Sequence, residues 1–300
     1  MIETRALLLS CAVTLASSAY AQTWVSASAG NDTNTCTRSL PCKTFARAVT
    51  ETPAWGQVSV LDPGDYGSVT ITQPMTIDGG NLASNVATSG TAITVAAASG
   101  AVVQLRNLSL HGDGASVGIN FTGGGQLVVE NVKINGFGGW CMGVALTGSG
   151  TSDVVIKDTS IDNCSTGGIS MYAYGTLTAE ITNTHVHYAN QGLQSSNGYI
   201  TVSGSSFSSP TTGGSGSGIA TSTAGFGTPP FIMVDNCEIS GWEVGVEVNS
   251  GGTVQLSRSA LSSNTYGVFA TSGATVISNG NNSFLNNTTI GTFTRTVALQ

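Results

Sequence analysis

The stretch from Val128 to Met171 decides how this chain is built. It reads Val128-Val129-Glu130-Asn131-Val132-Lys133-Ile134, a glycine-rich loop and Gly143-Val144-Ala145-Leu146. It then restarts as Val155-Ile156-Lys157-Asp158-Thr159-Ser160-Ile161, followed by Gly168-Ile169-Ser170-Met171. Each unit has apolar residues around a central Asn or Asp, an apolar residue three positions later, a polar loop and a Gly-apolar pair. Self-similarity at a period of 20 to 50 residues is the mark of a solenoid.

Working outward, the central residues are Asn107, Asn131, Asp158, Asn183, Gly204, Asn236, Arg258 and Asn279, spaced by 24, 27, 25, 21, 32, 22 and 21 residues. Leu105, Val129, Ile156, Ile181, Val202, Val234, Leu256 and Ile277 stand two positions earlier, and Leu110, Ile134, Ile161, Val186, Phe207, Ile239 and Leu261 three later. Glycines open the third segment at Gly118, Gly143, Gly168, Gly192, Gly218, Gly245 and Gly267. The inward positions in Leu105-Arg106-Asn107-Leu108-Ser109-Leu110 are 105, 108 and 110, so the alternation expected of a strand breaks at Asn107 and the chain must bend there. Asn tolerates the left-handed conformation and hydrogen-bonds locally, which suits a one-residue bend. Three short strands per unit follow, about ten coils in all. Stacked at ~4.8 Å, they make a rod on the order of 50 Å long.

The pattern resembles the right-handed parallel β-helix of the pectin-lyase-like superfamily: an Asn ladder, coils of about two dozen residues, a helical cap and a Gly-apolar third strand, over roughly Val58 to Thr289. The resemblance implies an all-β, single-stranded solenoid. It implies no single activity, because the superfamily spans lyases, hydrolases, epimerases, adhesins and phage spikes.

The ends read differently. Arg5, the apolar run Ala6 to Ala16 and Ala19-Tyr20-Ala21 form a secretory leader over residues 1–21, cut before Gln22. The run is too short for a membrane span. The mature protein is therefore expected to be secreted, extracellular or periplasmic, with no membrane span. Residues 22–57 supply a first strand and a helix between Pro41 and Thr52 whose apolar face is Phe45, Ala48 and Val49. That helix caps the open end of the solenoid. The β-helix runs over residues 58–291 and residues 292–300 close the far end. Cys36 and Cys42 are expected to pair in an oxidising compartment. Cys141 and Cys164, 23 residues apart, are a geometrically allowed second pair, and Cys237 falls on an inward position. Asp62 and Asp65 read either as a calcium corner or as turn formers, the second being favoured. The segment Ser208 to Gly216 is a loop inserted between coils.

A net charge of −7, with only 8% of residues charged, excludes a nucleic-acid partner. No cofactor and no metal site are expected. Candidate chemistry comes from register. Four positions after each bend the side chain points outward, giving His111, Asn135, Asp162 and His187 in consecutive coils, then Ser208, Ser240 and Ser262. A carboxylate beside an imidazole makes an acid or base usable near neutral pH. Asp162 and His187 take those roles, with His111 and His185 as further catalytic candidates. The competing reading is a polar solvent-facing column with no chemistry. Asn135, Trp140, Tyr188, Trp242 and Tyr266 form the candidate substrate-binding set, because aromatic faces on a flat β surface stack on sugar rings. The alternative is that the rings only cover loop backbone, as Phe137 also would.

The active sites of the resembled families do not carry over. Polygalacturonase-like enzymes use several Asp residues on adjacent coils, whereas here the column holds only Asp162. Pectate-lyase-like enzymes present acids for calcium and an Arg base, which Arg106 and Arg258 do not match in position. Alginate-epimerase-like proteins carry Asp-Pro-His, and the only Asp-Pro here, Asp62-Pro63, is followed by Gly64. The expectation is a secreted β-helix protein that binds a polysaccharide or surface glycan and, if it is an enzyme, cleaves it as a lyase or glycoside hydrolase. Its rival is a non-catalytic structural or adhesive protein.

Overall fold

The computed structural model describes residues 21–209, 214–222 and 228–297. Residues 1–20 of the expected leader, residues 210–213 of the expected inserted loop, residues 223–227 and the last three residues lie outside that range. The described chain is a parallel β-solenoid whose strands fall into three sheets of 12, 9 and 9, each taking one strand from every coil. The first sheet holds the strands before the bends, such as Gly125–Glu130 and Thr151–Lys157. The second holds those after them, such as Lys133–Asn135 and Ser160–Cys164. The third holds the strands Trp140–Leu146 and Gly167–Ala173. Eight coils contribute to all three sheets, beginning with Met75–Asp78 and ending with Tyr266–Ala270. The expected ten is reached only by counting incomplete turns at both ends. There Gln22–Val25 and Arg295–Thr296 form the two edges of the first sheet.

Register is what the period required. Val129 pairs with Leu105 and Ile156, and Ile134 with Leu110 and Ile161, all fully buried. The bend residues adopt the left-handed conformation at Asn107, Asn131, Asp158, Asn183, Gly204, Asn236 and Arg258, with φ between 46° and 57°. Asn81 adds an earlier bend at φ 59°, and in the last coil Gly280, not Asn279, takes the positive φ. The ladder of side chains is discontinuous. Asn131 Nδ2 donates to Asn107 Oδ1 at 2.8 Å and Asn183 Nδ2 to Asp158 Oδ1 at 2.7 Å. Asp158, an acceptor when ionised, starts the second run.

The glycine column differs from the expected one at a single place. In register it runs Gly118, Cys141, Gly168, Gly192, Gly218, Gly245 and Gly267, while Gly143 faces outward beside Ser170. The next coil's backbone passes too close for a side chain: a Cβ at Gly245 would stand 2.7 Å from the Gly267 carbonyl oxygen. Cys141 is the exception in this column, and its sulfur is bonded to Cys164, with the Cα atoms 5.6 Å apart.

The cap helix, Phe45–Glu51, is shorter than the sequence pattern and buries the expected Phe45, Ala48 and Val49. Thr44 caps it by accepting from the Arg47 N–H at 3.1 Å. Cys36 and Cys42 are bonded and buried, and their backbones exchange hydrogen bonds with Trp24 on the first strand. Asp62 is a turn residue that acts as a polar hub. It accepts from Ser26 Oγ at 2.8 Å, Ala27 N at 2.7 Å, Tyr66 Oη at 2.7 Å and Ser28. Burial alone would raise its pKa, but the hydrogen bonds from Ser28, Tyr66, Ser26 and Ala27 outweigh it and hold the carboxyl well below the usual range. Asp65 accepts from the N–H groups of Gly67 and Val86. Among the described residues Cys237 is the free cysteine, buried in the core, and burial pushes its thiol up to about 11.

Candidate functional site

The outward face of the second sheet carries two parallel rows. The row four residues past the bends pairs His111 with Asn135, Asn135 with Asp162, Asp162 with His187 and His187 with Ser208. The row two residues past them runs Ser109, Lys133, Ser160, His185, Ser206 and Glu238. The stack of coils sets this arrangement, because any residue at a given phase stands one strand spacing from its equivalent.

Within the first row, His187 Nδ1 lies 3.6 Å from Asp162 Oδ1, and both side chains are about two-fifths exposed. Ser160 Oγ donates to the other carboxylate oxygen at 2.7 Å, fixing the group across the two rows. The Tyr188 ring meets His187 edge-on, with centroids 4.0 Å apart. Tyr188 holds φ 53° and is 52% exposed, so its ring stands at the corner beside the pair. His111 is taken up by Ser109 Oγ at 3.1 Å from its Nε2. His185 does not join Asp162: its Nδ1 lies 2.7 Å from Ser206 Oγ, one coil further on. Two catalytic candidates therefore meet, and the other two histidines have partners of their own.

The aromatic set does not form one surface. Trp242 is a core residue, fully buried, with its indole N–H donating to the Phe207 carbonyl at 3.1 Å. It cannot stack on a ligand from there. Trp140 lies in register with Gly167, and a Cβ on that glycine would collide with its ring, so the indole is laid over the next coil's backbone. Phe137 is buried. Tyr266 is exposed but stands on the third sheet, its ring 5.9 Å from Phe269. Of the set, Tyr188 and Asn135 border the Asp162–His187 pair. The charged row one residue before the bends resolves into Lys157–Glu130 and Arg106–Asp78 pairs, both at 2.9 Å.

No group of three His, Cys, Asp or Glu side chains suited to a metal ion occurs among the described residues. No helix among them is long and apolar enough to cross a membrane.

The family model of the right-handed β-helix region matches residues 58–207. The chain belongs to the right-handed β-helix family. No curated protein matches it in sequence. Among solved structures, this β-helix is similar to the A-module of the mannuronan C-5 epimerase AlgE4 of Azotobacter vinelandii, at 14% identity and TM-score 0.51, covering 82% of this chain and 91% of that one. It is also similar to the GH136 lacto-N-biosidase of Eubacterium ramulus, at 10% identity and TM-score 0.45, covering 93% of this chain and 67% of that one. At these identities the likeness is one of fold.

Proposed function

We propose that this β-helix protein is exported and engages a polysaccharide, with Asp162 and His187 as its acid–base pair. The observation that carries the reading is the contact between those side chains on an open face, edged by the Tyr188 ring. An imidazole beside a carboxylate can give or take a proton near neutral pH, the step required at a glycosidic oxygen or at a sugar carbon next to a carboxyl group. Tyr188 offers an apolar ring to a sugar face, and Asn135 and His111 extend the row along the rod. The similar A-module, by its name a mannuronan epimerase, supports the substrate class. Two disulfides and the leader-like residues 1–21 support export.

Incubation with plant, algal and bacterial polysaccharides, read by reducing ends and unsaturated-uronate absorbance, tests the reading. His187→Ala and Asp162→Asn should each lower turnover by about 100-fold or more while leaving the melting transition in place. Turnover at the wild-type level in both variants would remove the pair from the chemistry. The second reading, a non-catalytic adhesive or structural protein, draws on the same row: beyond His187 it holds Ser208, Ser240 and Ser262. Retention on a glycan array without any cleavage product would select it.

A further inference from the structure

The bend residues follow one rule, a small amide or acid in the left-handed conformation, and two departures from it, Gly204 and Arg258, border the depression that holds His185 and Ser206. The first is Gly204, between Asn183 and Asn236 in the ladder. A Cβ there would meet nothing within 4 Å, so the missing side chain leaves open space at the corner. The second is Arg258, one coil beyond Asn236. Its guanidinium is held by Asp235, with Nε at 2.9 Å from Oδ1 and a further contact through Nη2. Between the departures lies a surface depression lined by Gly204, Ser206, His185, Asn236, Glu238 and Arg258. Inside it, Ser206 Oγ and His185 Nδ1 are hydrogen-bonded at 2.7 Å.

We propose that Ser206 and His185 form a nucleophile–base dyad for hydrolysis of esters, the substrate class being O-acyl groups carried by a sugar chain. A serine hydroxyl is a weak nucleophile until an adjacent base accepts its proton, and the observed distance is within reach of that transfer. Ser206 Oγ attacks the ester carbonyl while its proton passes to His185 Nδ1. The tetrahedral intermediate expels the sugar oxygen, which takes that proton from His185 and leaves as the hydroxyl. Water then attacks the acyl-Ser206, giving a proton to His185, and collapse releases the carboxylic acid as Ser206 Oγ leaves and takes that proton back from His185. Asn236 and Arg258 line the same depression, and the Asn236 side-chain amide is the donor assigned to the oxyanion, since the Arg258 guanidinium is held by Asp235. His185 must hold its proton on Nε2 for this, which leaves Nδ1 as the acceptor.

The dyad depends on the polysaccharide reading only for the alcohol half of the ester, so it can be tested without that substrate. Folded protein is treated with a fluorophosphonate–biotin probe and mapped by peptide mass spectrometry. The expected result is an adduct on Ser206, absent from Ser206→Ala and formed at least about 100-fold more slowly by His185→Gln. Circular dichroism confirms that both variants are folded. No adduct on wild-type Ser206 under conditions that label a serine esterase overturns the proposal, as does an unchanged labelling rate in His185→Gln. Acetate release from an O-acetylated polysaccharide should fall with Ser206→Ala, whereas chain cleavage on the polysaccharide panel should not. A labelled Ser206 with no chain cleavage anywhere on the panel would leave the dyad standing and overturn the acid–base role of Asp162 and His187. Chain cleavage without labelling would do the reverse.

Discussion

At the N-terminal end, Phe45 stacks on Tyr66 with centroids 5.1 Å apart and both rings fully buried. At the C-terminal end, Phe284 meets Phe293 at 5.6 Å and both stay partly exposed. Around the first pair stand the helix Phe45–Glu51, a disulfide and the Asp62 hub. Around the second, side-chain amides finish the last corners: Asn264 donates to Asn287 at 3.0 Å, and Asn287 to the Leu261 carbonyl at 2.7 Å. Leu285 and Ile290 are left exposed there. The difference shows two ways to stop a repeat. One end buries its last apolar surface under a different element. The other satisfies backbone carbonyls with amides and leaves apolar side chains in water.

Matched substitutions should expose that asymmetry. Phe45→Ala is expected to cost about 3–5 kcal/mol in urea unfolding, as for a fully buried ring, and Phe284→Ala about 1–2 kcal/mol. Equal losses would mean that the two ends contribute alike and would erase the contrast.

Asp62→Asn should cost less, about 1–3 kcal/mol at neutral pH, because one charged acceptor serves several donors. The sign of its pH dependence follows from the depressed carboxyl. Stability from Asp62 is present above its ordinary value of about 3.8 and is lost as pH falls below that toward the lower folded value. Melting temperatures between pH 7 and pH 2 should therefore fall more steeply for wild type than for Asp62→Asn. Parallel curves would show that the hub does not hold the N-terminal end. The smallest effect is expected from Leu285→Ser, within about 0.5 kcal/mol, since its side chain is already 62% exposed. A larger loss would show that the C-terminal end is packed more firmly than its exposure indicates.

Much of this was legible in the sequence because the bend at each first corner selects a chemical type. Asn107, Asn131 and Asn183 announce both the left-handed backbone and the phase of the inward residues on either side. The second corner gives no such sign. Gly136, Asn163, Tyr188, Gly241, Ser263 and Asn286 all take positive φ there but belong to four residue types, so no single letter marks the place. Trp140 and Trp242 show the limit of reading residue type alone. One ring lies over the glycine of the next coil and the other turns into the core to reach Phe207. The surface rows were readable as phase. The Asp162–His187 contact followed from that phase, but Ser160 on Asp162 and Ser206 on His185 did not, because those choices rest on side-chain rotamers.

The Cys141–Cys164 bond has a mechanical consequence. A stacked coil pulled from its ends is unwound rung by rung, each rung yielding its contour as its strand contacts break. The bond closes a loop across a sequence separation of 23 residues, withholding about 80 Å of extension at ~3.5 Å per residue. Stretched between its termini, the rod should be shorter by that length with this bond formed than with it broken, and Asp162 lies inside the hidden segment.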